Sequence, residues 1–270
     1  MISVETARQL VAANTIRLAP VWVPLKDALG KVLAEDIHAE ADVPAFAQSA
    51  MDGYAFCFDD WSYGIPLTIN GEMPAGAAKQ KSVAKGEAIR IFTGAPIPSG
   101  ADTVIMQEKT RAAAHELLIE EERLLSGANV RSAGSEIRKG DLALKINTQL
   151  TPGSIGFLAG MGVSKLSVYP DPAITIIVTG DELQEPGEPL SYGQVYESNS
   201  YTLLAVLQQA GLMPVQVYKV KDDLLELTTT LHAALEASDL VLLTGGVSVG
   251  DYDFVVKAAG IAMWIRSFIR

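Results

Sequence analysis

Near Pro170 the sequence changes rhythm, and the new rhythm leaves few folds open. AITIIV (173–178) is a β-branched run without polar interruption, the pattern of a strand covered on both faces. A helix is predicted over 199–210, with Leu203, Leu207 and Ala210 at i, i+4, i+7 and Gly211 placed as its C′ residue. VQVYKV (215–220) reads as a second strand, 223–237 as a second helix and DLVLL (239–243) as a third strand. The second helix opens with Asp223 and has Glu226 three residues on, a capping-box spacing. Two successive βαβ units predict a parallel, doubly wound sheet.

The preceding residues read differently. Residues 1–13 predict a short helix with Ser3 as N-cap and Val4, Ala7, Leu10 and Val11 on one face. From Trp22 to about Leu166, glycine and proline punctuate short extended runs such as AIRIFT and DTVIMQE, predicting mostly β structure with long loops. HELLIEEERLL (115–125) fits either a helix or a hairpin arm, with its acidic stretch solvated. A chain of 270 residues has room for about two domains of the usual ~150 residues.

Composition narrows the partners. With 21 Lys+Arg against 32 Asp+Glu, the net charge of −11 offers no excess of cations for a phosphate backbone, so nucleic acid is not expected. Cys57 stands alone, which excludes an internal disulfide and a CxxC pair. MISVETARQL lacks the basic and apolar regions of a signal peptide, and no apolar run approaches the ~20 residues of a membrane helix. A soluble cytoplasmic protein with no membrane partner is the expectation.

In an open parallel sheet, ligands bind beyond the carboxyl ends of the strands. The first exit reads Thr179-Gly180-Asp181-Glu182, the second Lys221-Asp222-Asp223. The third, Thr244-Gly245-Gly246-Val247-Ser248-Val249-Gly250-Asp251-Tyr252-Asp253, has glycines that let backbone N–H groups cradle an anion. Asp251 and Asp253 follow directly, and a hard cation such as Mg²⁺ would bridge their oxygens to phosphate. Simpler readings stand beside these: Asp223 as a helix cap, Asp181 and Glu182 as partners of a following helix dipole, the Gly-rich stretch as a turn. Gly246-Val-Ser248-Val-Gly250 also fits a nucleophile elbow, but His38, His115 and His232 all precede Ser248, and a hydrolase order needs a later histidine. Those three histidines show no metal-ligand spacing.

Ser49-Ala-Met-Asp-Gly-Tyr-Ala55, Ile91-Phe-Thr-Gly-Ala-Pro-Ile-Pro98, the TGDEL turn and Gly245–Asp253 occur together in this order. The chain thereby resembles the molybdopterin molybdenumtransferase family, bacterial MoeA and the E domain of gephyrin. The resemblance implies a multidomain α/β plus β fold with an elongated linking domain I (20–45 and 136–169), a β-rich domain II (46–135) and a MogA-like α/β domain III (1–19 and 170–270). It implies molybdenum cofactor biosynthesis: molybdate inserted into adenylylated molybdopterin with release of AMP, and Mg²⁺ as cofactor. It further implies a homodimer, with molybdopterin adenylyltransferase and molybdoenzyme-maturation proteins as other partners. Asp52, Thr93, Arg131, Glu136, Glu182 and Asp222 would carry catalysis, with Asp52 and Thr93 facing the partner subunit. Thr179, Gly180, Gly245, Gly246, Val247, Ser248 and Gly250 would hold the nucleotide, and Asp251 and Asp253 the metal. For Asp52 alone the plain alternative is an Asp-Gly turn; for Thr93, a strand end before a turn.

There are departures. Glu136 and Glu197 stand where the family more often has aspartate. After Asp253 the family continues through a lysine loop and a C-terminal β domain, whereas this chain gives FVVKAAGIAMWIRSFIR, whose AMWIRSFIR is only faintly similar to the next family strand. A C-terminally truncated member with impaired catalysis, acting as a binding or scaffold protein, is therefore the alternative expectation. Ile261, Met263, Trp264, Ile265, Phe268 and Ile269 would then help cover the shortened sheet.

Overall fold

A computed structural model of the chain describes residues 2–77, 79–212, 215–245 and 254–268. It divides into two units: Met1–Trp22, Gly30–Val32 and Ser167–Arg270 form the first, Val23–Leu29 and Leu33–Leu166 the second. The result is one α/β unit and one β-rich unit.

Helix α1 (Val4–Asn14) begins where Ser3 accepts a hydrogen bond from the Thr6 N–H at 3.1 Å, the expected N-cap. Its apolar stripe is not used within its own unit, since no residue of α1 is buried.

The second unit is organised by a mixed six-stranded sheet. Its strands are β1 (Gly53–Phe56), β2 (Leu67–Met73), β3 (Glu87–Ile91), β4 (Thr103–Met106), β5 (Thr110–Ala113) and β6 (Glu116–Ile119), in the order β4-β1-β3-β2-β6-β5. Only β2 and β3 run parallel. One face gathers Ala55, Ile89, Ile91 and Val104, the other Phe56, Leu67, Ala88, Ile105, Leu117 and Ile119, so the sheet is covered on both sides. The ambiguous 115–125 run is a hairpin arm: β6 pairs with β5 across a two-residue turn in which Ala114 takes a positive φ of 52°. Helix α2 (Pro152–Gly160) closes the unit and was not expected; Thr151 caps it by accepting from the Ser154 N–H at 3.2 Å, and Pro152 occupies the first turn.

The first unit carries the βαβ pattern. β7 (Ile174–Thr179) lies at the centre of a parallel sheet, between β8 (Val215–Val220) and β9 (Leu240–Thr244). All six residues of β7 are buried, and they divide by the two-residue period of a strand. Ile174, Ile176 and Val178 pack on Leu207 of α3 (Asn199–Gln209). Ile177 packs on the other side with Leu227, Leu231 and Ala234 of α4 (Leu224–Ala237) and Ala258 and Ala262 of α5 (Phe254–Phe268). Each buried Ile, Val or Leu side chain among these stabilises the fold by roughly 1.5–3 kcal/mol relative to exposure, which holds the β7 exit in place.

Two expectations are corrected here. AMWIRSFIR was compared with a strand, but residues through Phe268 continue α5. The cover over the sheet comes from Ala258 and Ala262, while Ile261 is exposed; the side chains of Met263, Trp264, Ile265 and Phe268, and Ile269 altogether, lie outside the described residues.

Asp223 is the N-cap of α4, accepting from the Glu226 N–H at 2.8 Å. Asp223→Ala should therefore cost about 1 kcal/mol, seen as a lower urea midpoint for this unit. An unchanged midpoint would show that the cap is dispensable.

Candidate functional site

Two groups of candidate residues exist, one in each unit. In the β-rich unit, the short strand Gln48–Ser49 is a bracket. On one side it pairs with Val130–Arg131, placing Arg131 opposite Gln48. On the other, Gly94 N–H donates to Ser49 O at 2.8 Å and Ser49 N–H to Ala95 O at 2.9 Å. The segment leaving the bracket leads through Asp52 into β1, and Asp52 Oδ1 accepts from both the Thr93 N–H and the Thr93 hydroxyl at 2.8 Å. The two family-motif residues are thus one hydrogen-bonded pair. Arg131 and Glu136 form a half-exposed ion pair at 3.4 Å, which leaves the guanidinium accessible to an incoming anion. A cavity of about 590 Å³ opens beside Phe46–Ala47, Gly76–Ala77 and Pro96–Ile97.

Asp52 is exposed, yet its carboxyl is held below the ordinary value of 3.8, chiefly by the Thr93 N–H, then by the Thr93 hydroxyl and more weakly by Arg90. A carboxylate that accepts two donors stays an anion and an acceptor through the neutral range. Arg90 was not among the expected residues. Its guanidinium lies 5.2 Å from the Tyr54 ring centroid and 5.1 Å from that of Phe92, and donates to Gly53 O at 2.9 Å. The I-R-I-F alternation puts Arg90 and Phe92 on one face, but the cross-strand Tyr54 is invisible without the register.

Three further carboxylates are depressed below 4.5: Glu87 by the Ala84 N–H, Glu121 by Lys109 and Glu185 by Lys219. Groups whose folded pKa lies below the unfolded one contribute stability above the unfolded value, and that stability is lost as pH falls through the folded value. Thermal midpoints should therefore hold steady down to about pH 4.5 and decline below it. A midpoint that rises on acidification would contradict this.

In the α/β unit, the β7 exit carries Thr179, whose hydroxyl donates to Asp222 Oδ1 at 2.6 Å. The Asp222 N–H reaches Asp181 Oδ1 at 3.4 Å, so two adjacent strand exits meet. At the third exit Gly245 has φ 94°, and a Cβ there would stand 2.0 Å from Thr179 O. Asn199, which opens α3, donates from Nδ2 to Thr244 Oγ1 at 3.0 Å and ties that helix to the same edge. The buried Glu197 accepts from the Ser200 N–H at 2.8 Å and from the Ser200 hydroxyl, capping α3 with negative charge where the helix dipole favours it.

The alternative offered for Asp181 and Glu182 is corrected: no helix follows them. After Gly180 the chain forms Leu183–Gln184, a short strand parallel to Val195–Tyr196, and Glu182 is exposed beside it. Asp52-Gly53 is likewise no tight turn, since Gly53 begins β1 and is a glycine for want of space. Gly246, Val247, Ser248, Gly250, Asp251 and Asp253 lie outside the described residues. Among the described residues no group of three His, Cys, Asp or Glu is placed to hold a metal, and no helix is long and apolar enough to cross a membrane.

Comparison with known proteins matches these elements to two consecutive families. Residues 2–162 match the MoeA N-terminal region (domain I and II), and residues 175–263 match the family described as "Probable molybdopterin binding domain". This chain belongs to the MoeA family. Molybdopterin molybdenumtransferase from Haemophilus influenzae is 36% identical over 233 residues, covering 86% of this chain and 58% of that protein. Molybdopterin molybdenumtransferase 2 from Mycobacterium tuberculosis is 35% identical over 267 residues, covering 97% of this chain and 66% of that protein. The crystal structure of a molybdopterin biosynthesis MoeA protein from Pyrococcus horikoshii superposes with a TM-score of 0.80 at 32% identity, covering 91% of this chain and 66% of that one. The chain thus spans about 58–66% of the length of these relatives.

Proposed function

We propose that this protein acts in molybdenum cofactor biosynthesis as a molybdopterin molybdenumtransferase, taking adenylylated molybdopterin and molybdate and releasing AMP. The observation that carries the reading is the convergence of Thr179, Asp222 and Gly245 at the carboxyl edge of a parallel sheet. That edge falls within the residues matched to a molybdopterin-binding family.

In this reading Thr179, Gly180 and Gly245, continuing through Gly246, Val247, Ser248 and Gly250, hold the nucleotide. Gly245 is required because Thr179 O fills the space a Cβ would take, which fixes the strand exit where the Gly-rich run begins. Asp222, Asp251 and Asp253 supply hard oxygen donors, a set that suits Mg²⁺. Bound there, Mg²⁺ would offset phosphate charge. Arg131, with Glu136 beside it, supplies cationic recognition for molybdate; Asp52, kept anionic by Thr93, orients donors on the substrates, and Glu182 completes the rim. A homodimer, with Asp52 and Thr93 presented to the partner subunit, a cytoplasmic setting and the three-domain division at 20–45 with 136–169, 46–135, and 1–19 with 170–270 belong to the same proposal.

The test is to titrate the purified protein with adenylylated molybdopterin in the presence of Mg²⁺ and molybdate, following binding and AMP together. Molybdate-dependent AMP release is the expected result. Tight binding with no release under any molybdate concentration would reject the transferase reading.

A further inference from the structure

We propose that Arg90 is a positioning residue that holds Asp52 against Thr93. Its bearing on catalysis rests on the transferase reading; its geometry does not. Arg90 lies on β3 directly opposite Tyr54 of β1, so its side chain starts where the two segments that make the pair come together. Tyr54 follows Asp52 by two residues, and Phe92 immediately precedes Thr93. The guanidinium rests against both rings, so it contacts each segment within two residues of the pair.

Its nitrogens then close a ring. One donates to Gly53 O at 2.9 Å; the other donates to Gln107 Oε1, and the Gln107 N–H donates to Asp52 O at 3.1 Å. The backbone on both sides of the Asp52–Gly53 peptide is thereby fixed, one carbonyl by Gln107 and the next by Arg90. Only a planar fork with donors in two directions can stack on two rings and reach both acceptors, so lysine is not an equivalent. Glu72 of β2 lies opposite Arg90 in register, and Glu108 accepts from Gln107 Nε2 at 3.2 Å. Arg90 therefore works on Asp52 both by holding its segment and as the nearby positive charge.

The experiment is a ¹³C NMR titration of the Asp52 carboxyl in the full chain without substrate, in wild type, Arg90→Met, Arg90→Lys and Gln107→Ala, each with a thermal melt. Arg90→Met should move the Asp52 midpoint upward. Arg90→Lys should recover part of the shift because a cation with a single donor nitrogen remains, and Gln107→Ala should move the midpoint in the same direction by less. If Arg90→Met does not fold, the lysine and Gln107 variants decide. An Asp52 midpoint identical to wild type in folded Arg90→Met, or in both other variants, would overturn the proposal. The titration needs no turnover, so absence of AMP release would count against the transferase reading and leave this inference standing.

Discussion

Gly53→Ala is expected to destabilise the β-rich unit by about 3 kcal/mol or more, lowering its melting temperature by roughly 10 °C. A Cβ at this position would lie 1.8 Å from Ile105 O, 2.8 Å from Ile105 C and 3.2 Å from Met106 Cα. All three atoms are backbone of β4, so no side chain can rotate away. Relief requires β1 and β4 to separate, and β4 carries Val104 and Ile105, both almost wholly buried on opposite faces. The displaced residue also bears the carbonyl that Arg90 holds and adjoins Asp52, so local order at the Asp52–Thr93 pair should go with it. Differential scanning calorimetry would decide, with a loss below 1 kcal/mol contradicting the geometry.

On the proposed reading, Gly245→Ala is expected to leave the fold of the α/β unit in place but weaken binding of adenylylated molybdopterin about a hundredfold. Two costs combine. The backbone at φ 94° is one that side chains rarely adopt, and the added methyl would stand 2.0 Å from Thr179 O and 3.2 Å from Thr179 Cγ2. Strain of this kind is worth about 1–3 kcal/mol; where the free protein relieves it by shifting the strand exit and binding must restore it, the upper end corresponds to two orders of magnitude in affinity. Movement away from the clash would unseat Thr179, which donates to Asp222, so the damage falls on the edge assigned to phosphate and not on the core beneath it. Calorimetric titration with the nucleotide is the measurement; affinity within threefold of wild type would remove Gly245 from the site.

The α/β unit was legible in the sequence because its signals are local. The β7 run, the Asp223 cap and Gly211, which takes φ 77° after α3, each depend on a few neighbouring residues. The meeting of Thr179, Asp181 and Asp222 followed once the strands were read as parallel. Elsewhere the local signals were weak or misleading, or the determinant was non-local. HELLIEEERLL stayed open between a helix and a hairpin arm, because the tight turn before it uses Ala114 at positive φ where asparagine or glycine would have decided for the hairpin. Helix α2 was masked by Gly153, Gly156 and Gly160, which argue against a helix even though Thr151 and Pro152 start one well. Arg90 could not be found at all, since its partners come from β1, the end of β3 and the segment after β4, and only the sheet register brings them together.

The division of the chain has a consequence for the order in which it is made. The α/β unit begins with Met1–Trp22 but resumes in earnest only at Ser167, and between Leu33 and Leu166 the ribosome produces nothing but the other unit. At ~5–20 residues per second that interval lasts on the order of ten seconds. The β-rich unit therefore has all its strands available while the exposed stripe of α1, with Val4, Leu10 and Val11, has emerged without the rest of its unit. The α/β unit therefore cannot close until the residues from Ser167 onward have been made, well after the strands of the β-rich unit are complete.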